Sequence, residues 1–228
     1  MSQTKQEPVK KAAKRGRPKQ TKDGNSNRTL ILESALKEFA TNGFEGTKIS
    51  DIAARAGVVT PAVHYHFKSK DELWMAAIEH SFDVLQKNSD LRLDGTLQDL
   101  DDLSLLRVLV RQFIRYTVHY PEHPRIILLE GMRGTARSEW LIEKFITPLH
   151  GQYKELFDRL QASGVIKPSQ NTALTLISIM TSAVLSLETN IFMAGRIYGV
   201  EKDDREFWAD QENALVDIIF NGVLKRPE

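Results

Sequence analysis

Between Thr47 and Phe67 the chain reads TKISDIAARAGVVTPAVHYHF, and this stretch constrains the fold more than any other. Two short helical patterns flank Gly57. Isolated helices below roughly 12 residues are marginal in water, so each needs a neighbour to pack against. Thr47 is the predicted cap of the first, Ile49 to Ala56, with Ile52, Ala53 and Ala56 facing inward. Thr60 is the predicted cap of the second, which runs to about Phe67, and Pro61 suits its first turn because its missing N–H would be unpaired there. A longer helix precedes the pair. It opens near Asn25-Ser26-Asn27, places Leu30, Ile31, Ala35, Leu36, Phe39 and Ala40 at helical spacing, and is expected to stop at Asn42-Gly43. Ser69 with Glu72 forms a capping box that opens a fourth helix, to about Asp90. One long and two short helices joined by a tight glycine turn describe a helix-turn-helix unit, about 49–68.

Downstream the helical pattern continues. Leu103–His119 is amphipathic, and Pro121 and Pro124 are expected to break it. Arg125–Met132, a long Ser138–Ala162 with a bend at Pro148, an almost wholly apolar Asn171–Tyr198 and a final Glu206–Leu224 follow. Asp99-Leu100-Asp101-Asp102 reads as a solvated loop before a helix. No strand alternation of useful length and no internal repeat is present. The expected fold class is all-α: a three-helix DNA-binding domain plus a larger helical domain, about nine helices in all. The domain reading is a disordered basic arm over 1–25, the helix-turn-helix domain over 26–80 and a C-terminal domain over 81–228.

Charge distribution says more than its sum. Residues 1–28 hold nine bases against two acids, a net +7, whereas the other 200 residues hold 22 bases and 28 acids. A basic arm on a mildly acidic body points to a polyanionic partner. The absence of cysteine excludes a disulfide framework, a thiol nucleophile and cysteine-ligated zinc, and fits the cytoplasm. No apolar run reaches the roughly 20 residues that cross a bilayer, and the N-terminus lacks a secretory signal, so no membrane partner is expected.

In a helix-turn-helix unit the second short helix enters the major groove, its first residues facing base edges. Here those are Thr60, Pro61 and Ala62, small enough for close approach. A threonine hydroxyl can donate or accept, and an alanine methyl or proline ring can meet a thymine methyl. Tyr65, His64 and His66 can donate to phosphate, and Lys70 adds a cation near a helix start. His64 and His66 lie two apart, about 200° around a helix, so they do not share one metal. Pro121 interrupts His119 and His123. The expectation is no metal and no cofactor. No phosphate loop, nucleophile elbow or paired His-carboxylate motif supports an enzyme.

GFEGTKISDIAARAGVVTPAVHYHFKSKDEL resembles the DNA-binding domain of the tetracycline-repressor (TetR) family of bacterial transcription regulators. The resemblance covers about residues 28–80 and rests on Gly43-Phe44, Thr47, Asp51-Ile52-Ala53, Gly57-Val58, Tyr65-His66-Phe67 and Lys70. It implies a homodimer on a palindromic operator, with a C-terminal ligand pocket whose occupation alters DNA affinity, most simply as a repressor. Carried over by position, Thr47, Lys48 and Ser50 touch phosphates, Thr60, Pro61 and Ala62 read bases, Tyr65 and His66 contact phosphate or adjacent base, and Lys70 anchors phosphate. Val59 departs from the family's small polar residue, and His64 stands where tyrosine is common. In the arm, Arg15-Gly16-Arg17-Pro18 resembles an AT-hook core, which lies along the narrow minor groove of A·T-rich DNA.

For the C-terminal domain the resemblance implies a ligand pocket, and the methionine and aromatic content suggests a partly apolar small organic effector. The pocket's candidate lining is Tyr116, Met132, Trp140, Phe145, Tyr153, Phe157, Met180 and Phe192, with His119, Arg133, Arg137 and His150 to meet polar groups. Each of these aromatic and methionine residues also reads as ordinary core. A helix apolar nearly all round must be covered on every side, so the helices about 171–198 and 206–224 are expected to form a four-helix dimer interface with their counterparts. The alternative is an architectural or adaptor DNA-binding protein of the same fold without a ligand.

Overall fold

The computed structural model describes residues 24–88, 100–167, 172–201 and 204–224. The arm with Arg15 and Arg17 lies outside the described residues, as does the Phe192 side chain. Ten α-helices form among the described residues. They are α1 (Gly24–Gly46), α2 (Ile49–Arg55), α3 (Thr60–His66), α4 (Lys70–Asn88), α5 (Asp102–His119), α6 (Glu122–Gly131), α7 (Ala136–Leu141), α8 (Thr147–Ala162), α9 (Thr172–Tyr198) and α10 (Arg205–Val223). The fold is all-α; extended pairing is confined, among the described residues, to an antiparallel bridge between Ile166 and Leu224.

Several expected boundaries move, each for a physical reason. α1 does not stop at Asn42-Gly43: Gly43 adopts φ 68°, ψ 176°, and helical bonding resumes to Gly46. That kink frees carbonyls, and the buried Thr47 hydroxyl answers them, donating to Gly43 O at 2.7 Å and Glu38 O at 3.1 Å. Thr47 therefore does not cap α2; extended Lys48 occupies the cap position without a side-chain bond. Thr60 is likewise the first residue of α3 and Val59 its cap. The turn between α2 and α3 is as the sequence requires. Gly57, at φ 69°, carries a Schellman closure, with Gly57 N donating to Ala54 O and Val58 N to Ala53 O.

Ser69 Oγ accepts from Glu72 N at 3.0 Å and Glu72 reaches back to Lys68 N at 2.9 Å, so the capping pair starts α4 as expected, one residue further back on the return bond. Asp101 is not merely solvated loop: its carboxylate accepts from Leu103 N and Ser104 N, both 3.0 Å, and caps α5. α5 stops at His119 as expected, but α6 starts at Glu122 rather than Arg125 and takes Pro124 into its first turn, where N–H groups lack intrahelical partners anyway. The expected Ser138–Ala162 helix becomes α7 and α8 joined by a π segment, Ile142–Ile146. Pro148 lacks an N–H and its ring crowds the carbonyl four residues back, and a widened turn just upstream relieves both. Dividing this element brings the helix count to ten.

Two hydrophobic clusters result. The first gathers α1–α4 with Ile126 of α6 and Leu141 of α7, and Trp140, Phe145 and Ile146 pack against it. The second joins α5, α8, α9 and α10 through residues such as Leu106, Leu160, Met180 and Phe220. Arg111 and Arg115 on α5 pair with Glu212 on α10 at 2.8 and 2.7 Å, tying the second cluster at its rim. Burial raises the Glu212 carboxyl, but the hydrogen bonds from Arg115 and Arg111 outweigh it and hold its pKa below the usual range.

Candidate nucleic-acid interface and ligand cleft

The reading helix is set by two anchors. Val63 and Phe67, four residues apart on one face, are 1% and 2% exposed and lock α3 into the first cluster. Everything else on α3 follows from that choice. Pro61, His64 and Tyr65 face outward, and Thr60, Ala62 and His66 are half-buried at the margins. Tyr65 is 85% exposed and bears edge-on against His66, ring centroids 5.2 Å apart. An exposed tyrosine with a free hydroxyl beside two imidazoles is a set of donors aimed away from the core.

The predicted phosphate residues divide. Lys48 and Ser50 are exposed at the start of α2. Thr47 is corrected: its side chain is buried and its hydroxyl is spent on two carbonyls, so it braces the α1–α2 turn instead of contacting a phosphate. Lys70 lies over the Phe44 ring, 4.6 Å from its centroid, with Nζ 3.3 Å from Glu45 O. It is held beside the turn rather than waving in solvent.

Behind this surface the unit is braced by charge. The Glu38 carboxylate, on α1, accepts from Arg55 Nε at 2.6 Å and from Asn42 Nδ2 at 2.9 Å, fixing α2 to α1. Arg137, a candidate for the pocket, stands elsewhere. From α7 its guanidinium covers Phe44 at 3.6 Å and approaches Asp71 at 3.2 Å and Glu45 at 3.5 Å. It thus clamps the α1–α2 turn and the start of α4 to the body. Arg133 is also at this junction: a side chain added at Gly43 would meet Arg133 Nη2 at 3.2 Å. Gly43 is required both for its positive φ and for that approach. Within the body, the buried Glu130 accepts from the Thr135 hydroxyl.

The expected pocket residues separate in the same way. An apolar cleft of about 160 Å³ opens at the seam between the two clusters, lined from α4, α5, α6, the π segment, α8 and α9. Tyr116, His150, Tyr153 and Met180 line it. Trp140 and Phe145 do not: Trp140 packs on Trp74 at 5.8 Å and Phe145 stacks on Phe82 at 4.1 Å, inside the first cluster. Met132 is 70% exposed, Arg133 is at the junction, and Phe157 belongs to the second cluster. His119 lines a second, more polar cleft of about 340 Å³ among α1, α4, α5 and α6.

Sequence reasoning missed His123 as a pocket residue. Set between two prolines in PEHPR, it had been weighed only as a metal ligand. It is 8% exposed, and its Nδ1 lies 3.0 Å from Ser81 Oγ on α4. Burial drives its pKa down to about 3, so the ring is neutral. Tyr116 donates to Ser81 O at 3.1 Å, and burial raises its phenol. Tyr153 is half-buried, and desolvation pushes its phenol up to about 12, so it keeps its proton. Tyr116 and His123 line both clefts, and with Ser81, which lines only the polar one, they link α4, α5 and α6.

With an outward donor face on α3 and a cleft behind it, the comparisons with known proteins fall into place. Residues 31–77 match the family described as bacterial regulatory proteins, tetR family. That stretch, α1 to the first half of α4, is the part of the chain that carries the family's domain. It is similar to the transcriptional repressor NicS of Pseudomonas putida, 25% identical over 202 residues that span 87% of this chain and 92% of that protein. It is similar to the transcriptional regulator RutR of Escherichia coli K12, 27% identical over 144 residues, where the match spans 63% of each, under two thirds of RutR's length. A crystal structure of an HlyIIR mutant superposes with a TM-score of 0.64 at 23% identity, covering 89% of this chain and 99% of that one, a likeness of fold. Residues 31–77 thus match the helix-turn-helix region of tetR-family regulatory proteins, and the relatives that the chain resembles are transcriptional regulators. No described helix is long and apolar enough to cross a membrane.

Proposed function

We propose that the protein is a homodimeric transcriptional repressor that reads a palindromic operator in double-stranded DNA with α3 and is released when a small, largely apolar molecule occupies the seam cleft. The observation that carries the reading is the two-sidedness of α3. Val63 and Phe67 are sunk in the first cluster while Pro61, His64 and Tyr65 face outward. Lys48, Ser50 and Lys70 supply phosphate donors around it, and Thr60, Pro61 and Ala62 approach the bases.

Dimerisation is supported by apolar side chains left outside on the last two helices. Ile179, Met193 and Ile197 on α9 are 47%, 53% and 65% exposed, and Ile218 on α10 is 68% exposed. A second copy of the pair covers them and sets two reading helices about one DNA turn, roughly 34 Å, apart. Coupling runs through α4. It begins at Lys70 beneath the reading unit and carries Phe82 and Leu85 into the cleft, so a ligand that favours a different α4 tilt disfavours the DNA-bound spacing. The arm with Arg15 and Arg17 adds minor-groove contacts. The protein acts in the cytoplasm, without catalysis.

Selection of DNA from a random pool by the purified chain tests this. A near-palindromic site should emerge. Tyr65→Ala should weaken binding to it by roughly ten-fold or more, within the 1–3 kcal/mol of a lost contact. It should leave folding stability within about 0.5 kcal/mol, as expected for an exposed position. Recovery of no preferred sequence would overturn the reading, and a preferred site bound by a monomer would overturn the dimer.

A further inference from the structure

We propose that the seam cleft selects a neutral, ring-sized ligand bearing one hydrogen-bond donor, such as a phenol or aryl N–H, which donates to Nε2 of His123, and that it rejects carboxylates. The inference rests on the reading of this cleft as a ligand site and adds the chemical class of its occupant.

The argument is one of proton counting. The Ser81 hydroxyl has a single proton, and Ile78 O, which can only accept, lies 2.8 Å away, so we assign the proton to that carbonyl. Ser81 Oγ can therefore only accept from His123 Nδ1 at 3.0 Å. A neutral imidazole has one N–H, so Nε2 carries the lone pair. Ser81 lines the polar cleft and not the apolar one, whereas His123 lines both. Nδ1 thus faces the polar side, and the rest of the ring forms wall for the apolar cleft. Phe82 and Tyr116 hold that ring edge-on, at 4.5 and 5.4 Å between centroids. The imidazole is consequently fixed in tautomer and in orientation, as an acceptor.

Size and charge complete the class. A volume of about 160 Å³ is close to the roughly 150 Å³ of engineered apolar cavities that take up benzene. No lysine, arginine, aspartate or glutamate is among the residues that line the cleft. A carboxylate would lose its hydration there without meeting a lysine or arginine, and at His123 it would face a lone pair.

Phenol, anisole and benzoate share a ring and differ in the group that meets His123. Titrated calorimetrically into the DNA-free full chain, phenol should bind at least ten-fold tighter than anisole, and benzoate should not bind. Histidine ¹⁵N chemical shifts should show the proton of His123 on Nδ1. Ser81→Ala, which frees the tautomer, should shrink the phenol preference, and His123→Leu should abolish it while toluene still binds. Binding of benzoate as tight as phenol, a proton on Nε2, or a phenol preference that survives in both variants would overturn the proposal. So would failure of all four probes to bind the unaltered chain. If the expected order holds but no probe weakens operator binding, the ligand class stands and the release mechanism falls, so the two readings fail separately.

Discussion

The two hydrophobic clusters of this molecule are built differently. The first is aromatic and cross-braced: Phe39 on Phe44, Trp74 on Trp140, Phe82 on Phe145, with Arg55, Lys70 and Arg137 tying its elements together. The second is mainly aliphatic, filled by Leu105, Leu106, Leu109, Leu160, Ile166 and Val216, with its charges kept at the rim. Broad rings and guanidinium clamps fix orientation, and a reading helix must not rock against its supports. Aliphatic packing on long helices tolerates small slides, which suits the side of a cleft that adapts to a ligand. The difference also places α6 and α7 with the DNA-reading unit, although they follow α5 in the chain.

That assignment can be broken most forcefully at Leu141, which is 1% exposed on α7. Leu141→Ala should cost about 2–5 kcal/mol, the usual range for a buried leucine. Hydrogen exchange should show the loss at Val63 and Phe67 of the reading unit before it appears at Leu160. Equal loss in both clusters would show that they unfold as one body.

A smaller effect comes from acid, and it probes the seam. His123 is held neutral, with its pKa depressed to about 3. Once unfolded it titrates near 6.5 and binds a proton the folded ring refuses. Its contribution is therefore full above about pH 6.5 and is lost as pH falls toward 3. Between pH 7 and 5 the loss should be about 2 kcal/mol, and His123→Leu should flatten that slope in denaturant titrations. An unchanged slope would remove His123 from the seam's electrostatics.

Arg137 sharpens the contrast from the other side. Arg137→Ala should lower stability by about 1–2 kcal/mol through the lost contact with Phe44 and the uncovered Glu130 carboxylate. It should also weaken operator binding, because the α1–α2 turn loses its clamp. Arg137→Lys should restore little of either, since a point charge cannot cover the ring as the planar guanidinium does. The smallest change belongs to His64. His64→Tyr should alter operator affinity by less than about three-fold at both pH 6 and pH 8, because a tyrosine hydroxyl at this exposed place also donates to phosphate. A loss well beyond three-fold at either pH would make the His64 ring itself a contact.

How far the sequence could be read follows from the same contrast. The reading unit is local: its caps, its Gly57 turn and the Val63–Phe67 spacing lie within a few residues of one another, so pattern and structure agree. Thr47 was misread because the kink at Gly43, which turns its hydroxyl inward, leaves no periodic trace. The cleft is assembled from five helices far apart in sequence. Tyr116, His150, Tyr153 and Met180 could be named, yet nothing local separates them from Trp140 and Phe145, which are equally aromatic and sit in the wrong cluster. His123 was hidden by its prolines, which suggested a broken helix instead of the first turn of one.

The π segment between α7 and α8 has a bearing on how this cleft could change over generations. It amounts to a helix carrying one residue too many. Losing a single residue from 142–146 would let the widened turn close to an ordinary one, with α8 kept nearly in phase with α7 because the bulge already absorbs the extra residue. His150 and Tyr153 would stay on the cleft side, and the change would fall on the wall at Ile146. The bulge is thus a place where chain length can vary by one residue and reshape the cleft locally, while the reading face on α3 stays as it is.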